Sequence, residues 1–210
     1  QGEALTGKRL ALSSANSINI GRLIPQVVYY IKACQELRDK KALLPGQAVD
    51  FIVPTGNFGD ILAGYLAKRL GCPIGRLVCA SNANRVLTDF LQTGLYDKNR
   101  QLVQTLSPSM DILISSNLER LLYYALEEDT QQVNSLMADL RKQGRYQLDK
   151  KPLEYIQEHF LGASVTDEQT KAAIRTVFDE HGYLMDPHTA CAWAAQSALP
   201  DTSNPRVVLA

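Results

Sequence analysis

The sequence carries no excess of either charge: Lys+Arg and Asp+Glu stand at 22 each in 210 residues. A balanced chain lacks the basic footprint of a nucleic-acid or anionic-membrane binder. No apolar run approaches the ~20 residues that cross a bilayer, and no signal-peptide pattern opens the chain. The expectation is a cytoplasmic chain whose partners include neither nucleic acid nor membrane. Cysteine is sparse, at Cys34, Cys72, Cys79 and Cys191, with no C-x-x-C spacing and no histidine cluster beside it. That excludes a disulfide framework and a zinc pattern, and leaves reduced core residues with no metal. His159, His181 and His188 are not spaced as helix-borne metal ligands are. Repeats, low-complexity tracts and long linkers are absent too.

What is present is an ordinary globular composition, 45% hydrophobic and 21% charged. At its centre stands Phe51-Ile52-Val53-Pro54-Thr55-Gly56-Asn57-Phe58-Gly59-Asp60. The apolar run reads as a buried strand ending at Pro54, a residue tolerated at strand ends. Gly56 and Gly59 permit backbone angles and close approaches that a Cβ forbids. A helix follows from Asp60 to Leu70, with Ile61, Leu62, Tyr65, Leu66 and Leu70 at helical spacing and Gly71 as its stop. A glycine turn feeding a helix N-terminus aims N–H groups and the positive dipole end at one spot, which suits phosphate. The turn is neither G-x-G-x-x-G, since Phe58 stands at the second glycine, nor a P-loop, since Tyr65 stands at the lysine. A turn that binds nothing fits these residues equally well.

Leu10-Ala11-Leu12 reads as a strand leading to polar Asn16-Ser17-Ile18-Asn19, and a helix runs from about Ile20 to about Leu37 with Ile24, Val27, Val28 and Ile31 as its buried face. Arg22 in its first turn opposes the helix dipole. It is either a solvated residue or the clamp of a bound anion, with Asn16, Ser17 and Asn19 as further donors. Strands are expected at Ala48–Val53, Arg76–Ala80, Met110–Ile114 and Arg206–Leu209, the first two forming a parallel βαβ unit. Both polar turns, at Gly56 and Ser81, then lie at strand carboxyl ends, where open parallel sheets hold ligands. Ser116 with Glu119 and Thr166 with Gln169 read as capping boxes. Ile174, Val177 and Phe178 mark a buried face; Asp186-Pro187 opens a last helix, with His188 at its mouth as a site candidate.

Taken together, Asn16-Ser17-Ile18-Asn19-Ile20-Gly21-Arg22, Thr55-Gly56-Asn57-Phe58-Gly59-Asp60, Phe90-Leu91-Gln92-Thr93-Gly94-Leu95-Tyr96 and Ser107-Pro108-Ser109-Met110-Asp111-Ile112 closely resemble threonine synthase. The resemblance runs from about Leu10 to Ala210. It implies an α/β fold: the parallel-sheet, Rossmann-like core of a fold type II pyridoxal-phosphate enzyme with a helical insertion. Residues 1–210 would belong to the large cofactor-binding domain, with the insertion at about 94–162. It implies pyridoxal 5'-phosphate as cofactor, its phosphate on Gly56, Asn57, Phe58 and Gly59, and the phosphate of O-phosphohomoserine near Asn16, Ser17, Asn19 and Arg22. The implied reaction converts O-phosphohomoserine and water to threonine and phosphate. The cofactor is the electron sink while protons leave the α and β carbons; phosphate leaves the γ carbon and water adds at the β carbon. Asp186-Pro187-His188 matches a stretch that is typically Glu-Pro-His in bacterial members.

The departures lie at the ends. The family's Schiff-base lysine falls upstream of the stretch matching Asn16, and its pyridine-nitrogen partner follows the strand matching Arg206–Leu209. The chain, which opens on Gln1 and closes on that strand, is therefore expected to be an internal or C-terminal fragment. It would hold no catalytic group, with Lys8 to Lys171 solvated, and would be inactive alone. Two alternatives stand beside this reading. One is a catalytically inactive phosphate-ligand binding module. The other is a fold type II lyase such as a serine or threonine dehydratase, which lacks a second phosphate site.

Overall fold

The computed structural model describes residues 16–210. The expected strand at Leu10–Leu12 lies outside the described residues. The frame is a four-stranded sheet in the order β5-β2-β1-β6, built from β1 (Val49–Pro54), β2 (Ile74–Ser81), β5 (Phe160–Ser164) and β6 (Arg206–Val208). Every neighbouring pair is parallel. Side-chain alternation divides the core in two. Phe51, Val53, Leu77 and Cys79 face one layer of helices; Ile52, Val78 and Ala80 face the other. Both faces of β1 and β2 are buried over most of their length, which is why residues 51–53 and 77–80 read as apolar runs.

On the first face lie α1 (Ile20–Asp39), α2 (Gly59–Arg69), α3 (Val86–Thr93), α4 (Leu118–Ala125) and α6 (Lys150–His159). α5 (Thr130–Gln143) packs outside α4. On the second face α8 (Pro187–Ala195) lies against β1 and β2, and α7 (Asp167–His181) packs on α8. A separate antiparallel ribbon pairs β3 (Leu95–Asp97) with β4 (Arg145–Gln147), its Tyr96 and Tyr146 rings stacked. No helix of the described residues is long and apolar enough to cross a membrane.

Several termini follow from local chemistry. Thr166 and Gln169 form the reciprocal capping box of α7. Asp186 caps α8, with Pro187 at its first position. Gly144 and Gly182 close α5 and α7 at positive φ.

Other readings are corrected. Met110–Ile114 is not a strand: Pro108–Met110 form one 3-10 turn, and Asp111 turns inward to a polar network. Ser116 and Glu119 make no capping box, since α4 is capped by Asn117 at φ 72 without a side-chain cap bond. Phe178 is exposed while Val177 is buried. The buried face of α1 is Leu23, Val27, Tyr30 and Cys34, whereas Ile24, Val28 and Ile31 are exposed. β5 begins at Phe160, inside the stretch read as insertion, and its short Phe-Leu-Gly-Ala-Ser run shows no strand signal of its own.

Candidate functional site

β1 ends at Pro54, and the chain turns through Thr55-Gly56-Asn57-Phe58 into α2. Thr55 still belongs to the sheet, its N–H donating to Ala80 O at 2.9 Å and its hydroxyl to Val53 O at 2.8 Å. Phe58 is fixed twice, by its N–H on Ser116 O at 2.8 Å and by its buried ring against Phe160. What remains is a row of donors. Among the described residues no acceptor meets the N–H groups of Gly56, Asn57, Gly59, Asp60 or Ile61. The last three open α2, where a helix has no internal partner for them.

Neither Gly56 nor Gly59 has positive φ, so the backbone-freedom reading of these two glycines is corrected. Their need is space. A Cβ on Gly56 would stand 2.6 Å from Ser109 O; one on Gly59 would point at Asn117 Nδ2, 3.4 Å away, with Ser17 O at 3.9 Å.

That direction leads to the second polar stretch. Asn19 caps α1, its Oδ1 accepting from Gly21 N at 2.8 Å. Ser17 Oγ donates to Asn16 Oδ1 at 3.0 Å and stands 3.4 Å from Ser116 Oγ. Asn16 and Arg22 are exposed. The loop Ser115-Ser116-Asn117 joins the two stretches. Ser115 Oγ donates to Gly56 O at 2.7 Å, Ser116 N to Asn57 Oδ1 at 3.3 Å, and Asn117 Nδ2 to Ser17 O at 3.1 Å. Arg120 adds a bond from Nη2 to Ile18 O at 3.0 Å. Thus Ser17 is brought beside Gly59, with Asn16 hydrogen-bonded to it, and Arg22 lies in the first turn of the helix that Asn19 caps.

Sequence reasoning missed Ser115, Ser116, Asn117 and Arg120. The signal was a Ser-Ser-Asn cluster just before a helix, which reads as a cap. It also missed the support under the Ser107–Met110 loop. Asp111 Oδ1 accepts from Asn82 Nδ2 at 2.8 Å, Asn84 Nδ2 at 2.9 Å and Thr105 Oγ1 at 2.7 Å. The polar turn after β2 is therefore a brace. His188 reaches the same loop, its Nε2 accepting from Ser109 N at 3.3 Å while Nδ1 lies 3.2 Å from Asp186 Oδ1. With Nε2 accepting, the ring proton sits on Nδ1 and donates to the carboxylate. Burial opposes charge on Asp186, yet hydrogen bonds from Thr189 and His188 outweigh it and hold the carboxyl below its ordinary value.

Asp60 is the charged group of the cradle. Its Oδ1 is buried without a hydrogen-bond partner among the described residues. Burial pushes its carboxyl up to about 6, offset in part by the Tyr30 hydroxyl. Burial also pushes the Cys79 and Cys191 thiols up to about 12, so they stay protonated. Among the described residues no group of His, Cys, Asp and Glu could hold a metal ion.

A parallel α/β sheet with an N–H-lined helix start at a strand's carboxyl end, beside a second polar helix start, places the chain in the class of open parallel α/β folds, whose ligand sites lie at that edge. No family model matches the chain. It is 46% identical over 198 residues to threonine synthase-like 1 of Macaca fascicularis, covering 94% of this chain and 27% of that protein. It is 40% identical to the threonine synthase of Pseudomonas aeruginosa, covering 98% of this chain and 42% of that one. The solved structure of PLP-bound threonine synthase from Brucella melitensis superposes at TM-score 0.89 and 42% identity, over 99% of this chain and 44% of that chain. The chain belongs to the threonine synthase family and has the fold of its fold type II pyridoxal-phosphate members. It spans less than half the length of each of these three relatives.

Proposed function

We propose that this chain is the part of a threonine synthase that grips the phosphate of pyridoxal 5'-phosphate and, beside it, the phosphate of O-phosphohomoserine. The observation that supports this is the row of unpartnered N–H groups at Gly56, Asn57, Gly59, Asp60 and Ile61, against which Asn117 holds Ser17. Those groups fit a phosphate: donors converge at the positive end of an 11-residue helix, and a missing Cβ keeps the approach clear. The bound cofactor supplies an electron sink for proton loss from the substrate's carbons. Gly56, Asn57 and Gly59 donate to its phosphate, while Phe58 holds the turn in shape. Ser116 N–H holds the exposed Asn57 side-chain oxygen, and the amide so fixed would serve the ring side of the cofactor. Asn16, Ser17, Asn19 and Arg22 take the substrate phosphate, Arg22 through paired charge-assisted hydrogen bonds.

A second reading, a phosphate-ligand module without catalysis, is favoured by one observation. Among the described residues, the hydrogen-bond partners and close neighbours of the cradle are Ser109, Met110, Ser115, Ser116, Asn117, Gln26 and Ser17, with no lysine among them. Two measurements separate the readings. Calorimetric titration with pyridoxal phosphate and with pyridoxal is expected to give one site for the first and none for the second. Phosphate release from O-phosphohomoserine by the intact gene product, loaded with cofactor, then marks the enzyme; binding without release marks the module. Equal binding of both vitamers would contradict the phosphate assignment.

A further inference from the structure

The stretch Phe90–Tyr96, which carries part of the family resemblance, has no place in the two phosphate sites. It leads from α3 into β3 and ends on a buried tyrosine. Tyr96 is stacked on Tyr146, ring centroids 5.3 Å apart and planes 9° from parallel, and Phe90 meets both rings edge-on. The two tyrosines are partners across the β3–β4 ribbon, yet their hydroxyls differ. Tyr146 Oη is buried with no hydrogen-bond partner among the described residues. Tyr96 Oη donates to Leu113 O at 3.2 Å and accepts from Ser115 N at 2.9 Å. Burial pushes this hydroxyl up to about 12, so it keeps the proton that it donates. Among the described residues, no other hydrogen bond holds the main chain of residues 113–115.

The same loop presents Ser115, also buried, whose Oγ donates to Gly56 O at 2.7 Å. Gly56 O and Asn57 N–H belong to one planar trans peptide and point to opposite sides of it. Holding the carbonyl against Ser115 therefore turns the N–H away from the loop, and no acceptor among the described residues meets it there. We propose that Tyr96 is a positioning residue of the phosphate cradle: through Ser115 its hydroxyl sets the Gly56–Asn57 peptide, so that Asn57 N–H faces the bound phosphate. This rests on the function proposed above. Without the Tyr96 hydroxyl, Leu113 O and Ser115 N–H lose their anchor and Ser115 Oγ its fixed place. The peptide is then free to turn, and a donor that binding must first order contributes less to affinity than one already ordered.

Titration of the 210-residue chain with pyridoxal phosphate tests this, with 15N amide shifts as a second readout. Tyr96→Phe and Ser115→Ala are each expected to weaken binding roughly tenfold, the size of one hydrogen bond. Both should shrink the ligand-induced shift of the Asn57 amide more than that of Gly59. The double variant should bind no more weakly than Ser115→Ala, since the first residue acts through the second. Tyr146→Phe, which removes an unbonded hydroxyl from the same ring pair, should bind as the wild type does. Full affinity in Tyr96→Phe overturns the proposal. So do losses that multiply in the double variant, or an equal loss in Tyr146→Phe, which would assign the effect to ring packing. Tyr96→Phe leaves Ser115 N–H buried and unpaired, at a cost in stability. Ser115→Ala keeps that bond, so full affinity in this variant overturns the proposal even where Tyr96→Phe does not fold. A wild-type chain that binds no pyridoxal phosphate overturns the proposed function itself, and this inference with it.

Discussion

Asp60 places a titrating carboxyl in the first turn of α2, the helix start proposed to hold a phosphate. Its folded value, about 6, stands above its ordinary 3.8. A raised carboxyl disfavours folding once it ionises. The stability it permits is full below pH 4 and is lost as pH rises from about 4 to about 6. Asp60→Asn is therefore expected to leave stability unchanged at pH 4 and to raise it at pH 7 by up to about 3 kcal/mol. Urea melts at the two pH values check this; an equal effect at both would show that ionisation is not the cause. Arg22 and Gly59 test the two proposed phosphate assignments separately. Arg22→Ala is expected to weaken a phosphohomoserine analogue ten- to hundredfold, since charge-assisted hydrogen bonds contribute about 1.5–3 kcal/mol each, and to spare pyridoxal phosphate. Gly59→Val extends side-chain atoms toward Asn117 and is expected to lower retention of the cofactor. Titration of both variants with both ligands decides; the reverse pattern would exchange the assignments.

The loop Ser115-Ser116-Asn117 and the start of α2 act as one device. Asn117 combines left-handed backbone with an amide that donates to Ser17 O and accepts from Arg120 Nε. Asn117→Gly keeps the backbone comfortable and removes both bonds. The expected outcome is weaker analogue binding with a nearly unchanged melting temperature; a large fall in melting temperature would make Asn117 structural instead. β1, α2 and β2 were legible in the sequence because burial on both faces writes itself as an apolar run and the glycine turn marks the break. The bridge was not. Ser116 and Asn117 act on residues 59 to 100 positions away, and local spacing carries no trace of such contacts. β5 was hidden for a related reason. Gly162 in it packs against Thr88, where a Cβ would meet backbone at 2.8 Å, so the strand uses a residue that strand patterns exclude.

Across the molecule, one set of parallel strands delivers the turn after β1, while the loops before α1 and α4 close around it. The misread face of α1 belongs to this scale too. Spacing alone reads Ile24, Val28 and Ile31 as buried, but the face turned to the sheet is Leu23, Val27, Tyr30 and Cys34, because a helix apolar on two sides gives its period no single buried face. The proposed function rests on the α2 N-terminus being a phosphate cradle. The most direct measurement is a titration of 15N-labelled chain with pyridoxal phosphate, followed by amide chemical shifts. A phosphate cradle gives saturable shifts at Gly56, Asn57, Gly59 and Asp60, reproduced by inorganic phosphate at higher concentration and lost in Gly59→Val. Shifts confined to lysine-bearing surfaces, with those amides unmoved, would contradict it.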